Sequence, residues 1–159
     1  MKTGNHAEWL DSYNLGVADI DRQHQEFFIK YKEFCLAMAA GAGRTTIGEV
    51  LRTLQGYADF HFACEESLME SIAFTGLAAH IAQHELFRET LALLIRDFYA
   101  GIDILDGVYL FFNHWLVRHI QESDQRIGAF LASPSADLSE HFPAAHPCRP
   151  AAGVSPAAA

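Results

Sequence analysis

Cysteine is scarce in this 159-residue chain: Cys35, Cys64 and Cys148 are odd in number and far apart, and no CxxC spacing joins any two. That argues against a disulfide framework and against a cysteine zinc site, so three reduced thiols are expected. Basic residues are also few. Eleven Lys and Arg stand against 20 Asp and Glu, a formal net charge of −9 with no basic cluster. Such a balance repels phosphate backbones and anionic lipid, which sets nucleic acid and membrane surfaces aside as partners. Long apolar runs are missing as well. The first twenty residues contain no signal-peptide core, and the richest run, VYLFFNHWLV (108–117), is too short and too interrupted to span a bilayer. A soluble, cytoplasmic protein is the expectation.

Strand-like alternation is sustained nowhere, and all five prolines lie beyond Ser133. What is present is apolar residues at helical spacing in four segments, about Asp19 to Ala40, Thr46 to Ser71, Leu77 to Ala100 and Asp106 to Leu131. Gly41 and Gly43 end the first, and short connections join the rest. Helices of this length joined this way pack as an up-down-up-down antiparallel four-helix bundle, so the fold class is all-α. Half the residues are hydrophobic and twelve are phenylalanine, enough for one well-filled core. Residues 1–132 are read as the helical domain, opening with an arm in which Trp9, Tyr13 and Leu15 pack against the helices. Residues 133–159, rich in Pro and Ala, are read as a flexible tail.

Polar residues interrupt the apolar stripes at particular places. His24 lies on the first stripe, His61 and Glu65 on the second, His80 and His84 on the third, and His119 on the fourth. Two of these pairs are four apart and so share a helix face. Either pair alone is explained by a solvated face or a hydrogen-bonded core histidine. What neither explains is that four helices converge on one polar cluster. Imidazole with carboxylate suits iron, zinc, copper or nickel, and one ion cannot use so many donors. Asp124 would add a second carboxylate able to bridge two ions. Its spacing of five from His119 is off a common face, so it requires a π-bulge or a reaching side chain. No Glu has a His three residues later, which removes the carboxylate-rich Glu-x-x-His plan of ferritin-like bundles.

From Trp9 to Leu131 the chain resembles the hemerythrins, and within them the single-domain bacterial forms. The resemblance runs through IDRQH with His24, HFACEE with His61 and Glu65, HIAQH with His80 and His84, and HWLVRHIQESD with His119 and Asp124. It implies two iron ions, Fe2+ or Fe3+, joined by an oxo or hydroxo bridge. His80, His84 and His119 would hold one iron, His24 and His61 the other, with Glu65 and Asp124 across both. It also implies reversible O2 binding as a hydroperoxide at the five-coordinate iron, for storage, transport or delivery. An apolar O2 pocket is implied at Phe27, Phe62, Trp115, Leu116 and Ile120.

On this reading the protein is a monomeric carrier and not an enzyme, with O2 and an O2-consuming enzyme as partners. A di-iron enzyme reducing peroxide or nitric oxide, or an O2 or iron sensor, is the alternative. Two departures from the family stand out. Phe74-Thr75 replaces a common Tyr-Pro between the second and third helices, and the tail is additional. His6, His114, His141, His146 and Cys148 are expected to bind no metal.

Overall fold

A computed structural model of the chain describes residues 7–133 and residue 148. Three helices, α1 (Ala18–Ala39), α2 (Arg44–Ser71) and α3 (Leu77–Tyr99), are single rods. The fourth rod is composite: α4 (Leu105–His119), a π turn (Ile120–Asp124) and α5 (Gln125–Leu131). No strand occurs among the described residues, and each helix boundary falls within two residues of its expected place. Neighbours pack in the order α1, α2, α3, α4, and α4 closes back on α1.

Local chemistry sets the turns. Gly41 follows α1 with a φ of +66°, and the Ala42 N–H donates to the Ala37 carbonyl at 3.0 Å, a left-handed closure that satisfies an end-of-helix carbonyl. Between α2 and α3 the same role falls to Ala73, at φ 50°, with Phe74 N–H on the Met69 carbonyl at 2.9 Å. Phe74 is buried there and meets the Phe130 ring edge-on at 5.4 Å. The connection that departs from the family's Tyr-Pro is thus anchored by its own aromatic residue.

Aromatic rings fill the core. Phe27 of α1 meets a phenylalanine from each other helix, Phe62 at 6.5 Å, Phe87 at 6.1 Å and Phe112 at 6.1 Å, all edge to face, an arrangement favoured by the ring quadrupoles. The N-terminal arm packs as expected: Trp9 and Tyr13 both lie against Phe28, at 5.8 and 6.0 Å. Asp21 fixes the end of the arm by accepting hydrogen bonds from Leu15 N–H at 2.6 Å and Gly16 N–H at 3.1 Å.

One expectation is corrected. Cys64 and Cys148 are joined in a disulfide with a Cα–Cα distance of 5.9 Å, leaving Cys35 as the free thiol among the described residues. The partners are 84 residues apart, a relation that no local spacing reveals. Cys148 packs with Leu15, Ile20 and Cys64 where the arm enters α1. The flexible-tail expectation otherwise concerns residues outside those described, as do His6, His141 and His146. Among the described residues no helix is long and apolar enough to cross a membrane.

The arm crosses α5 so closely that a Cβ built on Gly128 would lie 2.6 Å from the Leu15 carbonyl oxygen, whereas one on Gly56, exposed on α2, would meet nothing within 4 Å. Gly128→Ala is therefore expected to destabilise the fold by about 1–3 kcal/mol. Gly56→Ala should stabilise it by about 0.5–1 kcal/mol. Urea denaturation of the two variants checks both signs.

Candidate metal centre

The seven residues singled out by sequence meet in one place, midway through the bundle. His24, His61, Glu65, His80, His84, His119 and Asp124 are all buried, none more than 5% exposed. Their spacing repeats. His84 Nε2 lies 3.1 Å from both His80 Nε2 and His119 Nε2, and Glu65 Oε2 lies 3.1 Å from His80 Nε2 and 3.2 Å from His84 Nε2. Donors at right angles around an octahedral metal, with bonds of roughly 2.1 Å, stand about 3.0 Å apart. The separations match that value.

Two groups of donors fit an ion each: Glu65 with His80, His84 and His119, and Glu65 with His24 and His61. Glu65 belongs to both. Asp124 spans the same two sides, with Oδ1 at 3.0 Å from His119 Nε2 and Oδ2 at 3.2 Å from His24 Nε2. It reaches them because of the π turn. Five residues wound as i→i+5 bring Asp124 beneath His119, which a regular α-helix would not do.

Partners are missing where a cation would supply them. Both nitrogens of His24, Glu65 Oε1 and both Asp124 oxygens are buried without a completed hydrogen bond, although several lie within 3–4 Å of one another. Buried polar atoms are rarely left so, and a cation held between them would satisfy the carboxylate oxygens together with His24 Nε2, the ring nitrogen that faces Glu65 and Asp124. Among the protein's own groups, burial followed by the neighbouring His24 pushes the His61 pKa down to about 3. His24 shifts the other way: burial opposes its charge, but Asp124, Glu65 and Asp21 outweigh it and raise the pKa. His80 is raised likewise, Glu65 overcoming burial. Glu65 itself is held well below the usual carboxylate range because His80, His84, His61 and His24 outweigh its burial. Acid therefore competes with metal for His24 and His80, since ligating histidine must be neutral.

A second layer orients the rings, and the sequence did not announce it. Gln23 Oε1 lies 3.1 Å from His61 Nδ1, Glu66 Oε1 lies 2.8 Å from His84 Nδ1, and Gln83 Oε1 lies 2.9 Å from His119 Nδ1. Ser123 Oγ–H donates to Gln83 Oε1 at 2.7 Å. Each of these three residues adjoins a ligand on its own helix yet supports a ligand on the next. Their only sequence signal was that adjacency. Three of the expected pocket residues lie against the same rings. Phe62 stacks on His84 at 3.9 Å and lies 5.6 Å from His61, Trp115 stacks on His119 at 4.2 Å, and Phe27 sits 6.0 Å from His61. Leu116 and Ile120 are buried in the same apolar cluster as Phe27. His114 is exposed and apart from the centre.

Fold and site together define a helical bundle built around a buried histidine and carboxylate metal centre. Residues 15–131 match the model of the hemerythrin HHE cation binding domain. The chain belongs to the hemerythrin family, a family of non-haem di-iron oxygen-binding proteins. It is 35% identical over 117 residues to a bacteriohemerythrin of Stenotrophomonas maltophilia, covering 74% of this chain and 76% of that one. It is 30% identical over 116 residues to a myohemerythrin of Riftia pachyptila, covering 73% and 86%. A crystal structure of wild-type hemerythrin superposes with a TM-score of 0.72 at 29% identity, covering 80% of this chain and 98% of that one.

Because Glu65 and Asp124 each face both donor groups, Glu65→Ala or Asp124→Ala should forfeit most of the metal and not merely half. Metal analysis of reconstituted protein reads this directly. A variant that keeps one ion per chain at full occupancy would contradict the shared placement.

Proposed function

We propose that this chain binds O2 reversibly at a pair of iron ions, taking it up in reduced, protonated form, and serves O2 storage, transport or delivery without being an enzyme. The observation that carries this reading is the donor set itself, five imidazoles and two carboxylates buried together under an apolar wall. His80, His84 and His119 would hold one iron and His24 and His61 the other. Glu65 and Asp124 would span both, with an oxo or hydroxo bridge completing the pair. When bound, the irons supply the two electrons that O2 takes up and recover them on release.

The protein's own residues set the terms of that exchange. Three imidazoles on one side against two on the other leave the less crowded position beside His24 and His61, which is where O2 would sit. Phe27, Phe62, Trp115, Leu116 and Ile120 form the surrounding wall, and four of them are no more than 2% exposed. Excluding water and stray protons there slows irreversible oxidation of the metal pair. A monomeric working state, a cytoplasmic location and an O2-consuming enzyme as recipient belong to the same reading. Cytoplasmic work requires that the Cys64–Cys148 bridge be compatible with a reducing thiol pool.

The deciding measurement is an absorption spectrum of the anaerobically reduced, iron-loaded protein before O2, after O2, and after a nitrogen purge. Return to the first spectrum is expected. Catalytic consumption of added peroxide or nitric oxide by the reduced protein, without return of the O2 spectrum, would favour an enzyme that reduces one of them. Leu116→Ala tests the wall. As a core truncation it should lose about 2–5 kcal/mol of stability, and its oxygenated form should decay faster while both irons stay bound. Stopped-flow decay alongside iron analysis separates the effects; unchanged decay in a loaded, folded variant would reduce Leu116 to a packing residue.

A further inference from the structure

The supports behind the three oriented histidines are not alike. His61 and His119 are backed by neutral amides, Gln23 and Gln83, whereas His84 is backed by the Glu66 carboxylate at 2.8 Å. Glu66 is itself held by Arg88, whose Nη2 donates to the same Oε1 at 3.1 Å. Arg88 is fixed in turn by Glu85 at 2.6 Å and Asp59 at 3.4 Å, and its guanidinium lies 5.2 Å from the Phe62 ring centre. Phe62 stacks on His84 with only 13° between the planes. One imidazole is therefore gripped at its edge by a carboxylate and on its face by a ring, and a single arginine braces both.

Resting on the di-iron reading above, we infer that Glu66 is a positioning residue that presents the His84 Nε2 lone pair to the metal and strengthens it as a donor. The physical reason is direct. A carboxylate accepting the Nδ1 proton fixes the tautomer and raises the basicity of the other nitrogen, which favours ferric over ferrous iron at the three-histidine side. Gln23 and Gln83 fix tautomers without adding charge. Arg88 keeps the Glu66 carboxylate in place, and its own charge tempers the effect without removing the acceptor.

Glu66→Gln preserves shape and acceptor but removes the charge; Glu66→Ala removes both. For Glu66→Gln, competition between ferrous iron and a chelator should show binding weakened by about 10–100-fold. The reduction potential of the loaded protein should rise, by about 59 mV for each tenfold loss of ferric preference. Gln83→Glu, which adds a carboxylate behind His119, should move the potential the other way. In metal-free protein in alkaline buffer, nitrogen NMR should find His84 protonated on Nδ1, a state that Glu66→Ala loses and Glu66→Gln keeps. A loaded Glu66→Gln variant with parental affinity and potential overturns the inference. A parent chain that takes up no iron defeats the di-iron reading instead. The NMR experiment then decides alone: a His84 tautomer indifferent to Glu66→Ala overturns the positioning role, and a lost tautomer supports it.

Discussion

Everything in this molecule turns on the cost of burying lone pairs. Seven imidazoles and carboxylates sit in the middle of an aromatic core, where each unpaired polar group would cost several kcal/mol, roughly 2–7 even when neutral. Hydrogen bonds among the seven cannot settle the account, because most of the inward-facing atoms are acceptors. A cation can. The helices supply the enclosing frame, the aromatic residues exclude water, and the polar atoms are left facing one another at the separations a six-coordinate metal imposes. A bundle without this cluster could be held by Phe27 and its neighbours alone; with it, the fold and the metal depend on each other.

The second layer converts that dependence into order. Support passes from helix to helix in one direction: Gln23 on α1 to His61 on α2, Glu66 on α2 to His84 on α3, Gln83 on α3 to His119 on α4. A relay of this kind ties the rotation of each helix to that of the next, because turning one helix misplaces both its own ligand and its neighbour's support. Close-packed side chains already resist such rotation. The hydrogen bonds make the resistance specific to the orientation that the donors need.

Much of this was legible in the sequence, for reasons that are local. Periodicity and glycine placed the helices because both act within a turn or two of the chain. The i,i+4 pairs His61 with Glu65 and His80 with His84 declared a shared face by spacing alone. Asp124 was legible in a different way. Its offset from His119 demanded an irregular turn, and the π turn at Ile120–Asp124 is that irregularity. Gln23, Glu66 and Gln83 were not legible, because each acts on another helix and a one-dimensional pattern carries no record of it. The Cys64–Cys148 bridge escaped for the same reason, and the reduced-thiol expectation followed from counting cysteines rather than knowing which ones meet.

That bridge also divides the chain topologically. Closing Cys64 to Cys148 makes a covalent ring from the C-terminal part of α2 through α3 and the whole fourth rod. Glu65, His80, His84, His119 and Asp124 lie inside the ring; His24 and His61 lie on the open N-terminal branch. A single backbone cut in α1 beyond His24 would release that imidazole from the rest of the chain, while a cut between α3 and α4 would leave both fragments tethered. Partial opening and proteolysis should therefore be unequal across the centre, with the two-histidine side exposed to loss and the three-histidine side held by a closed loop.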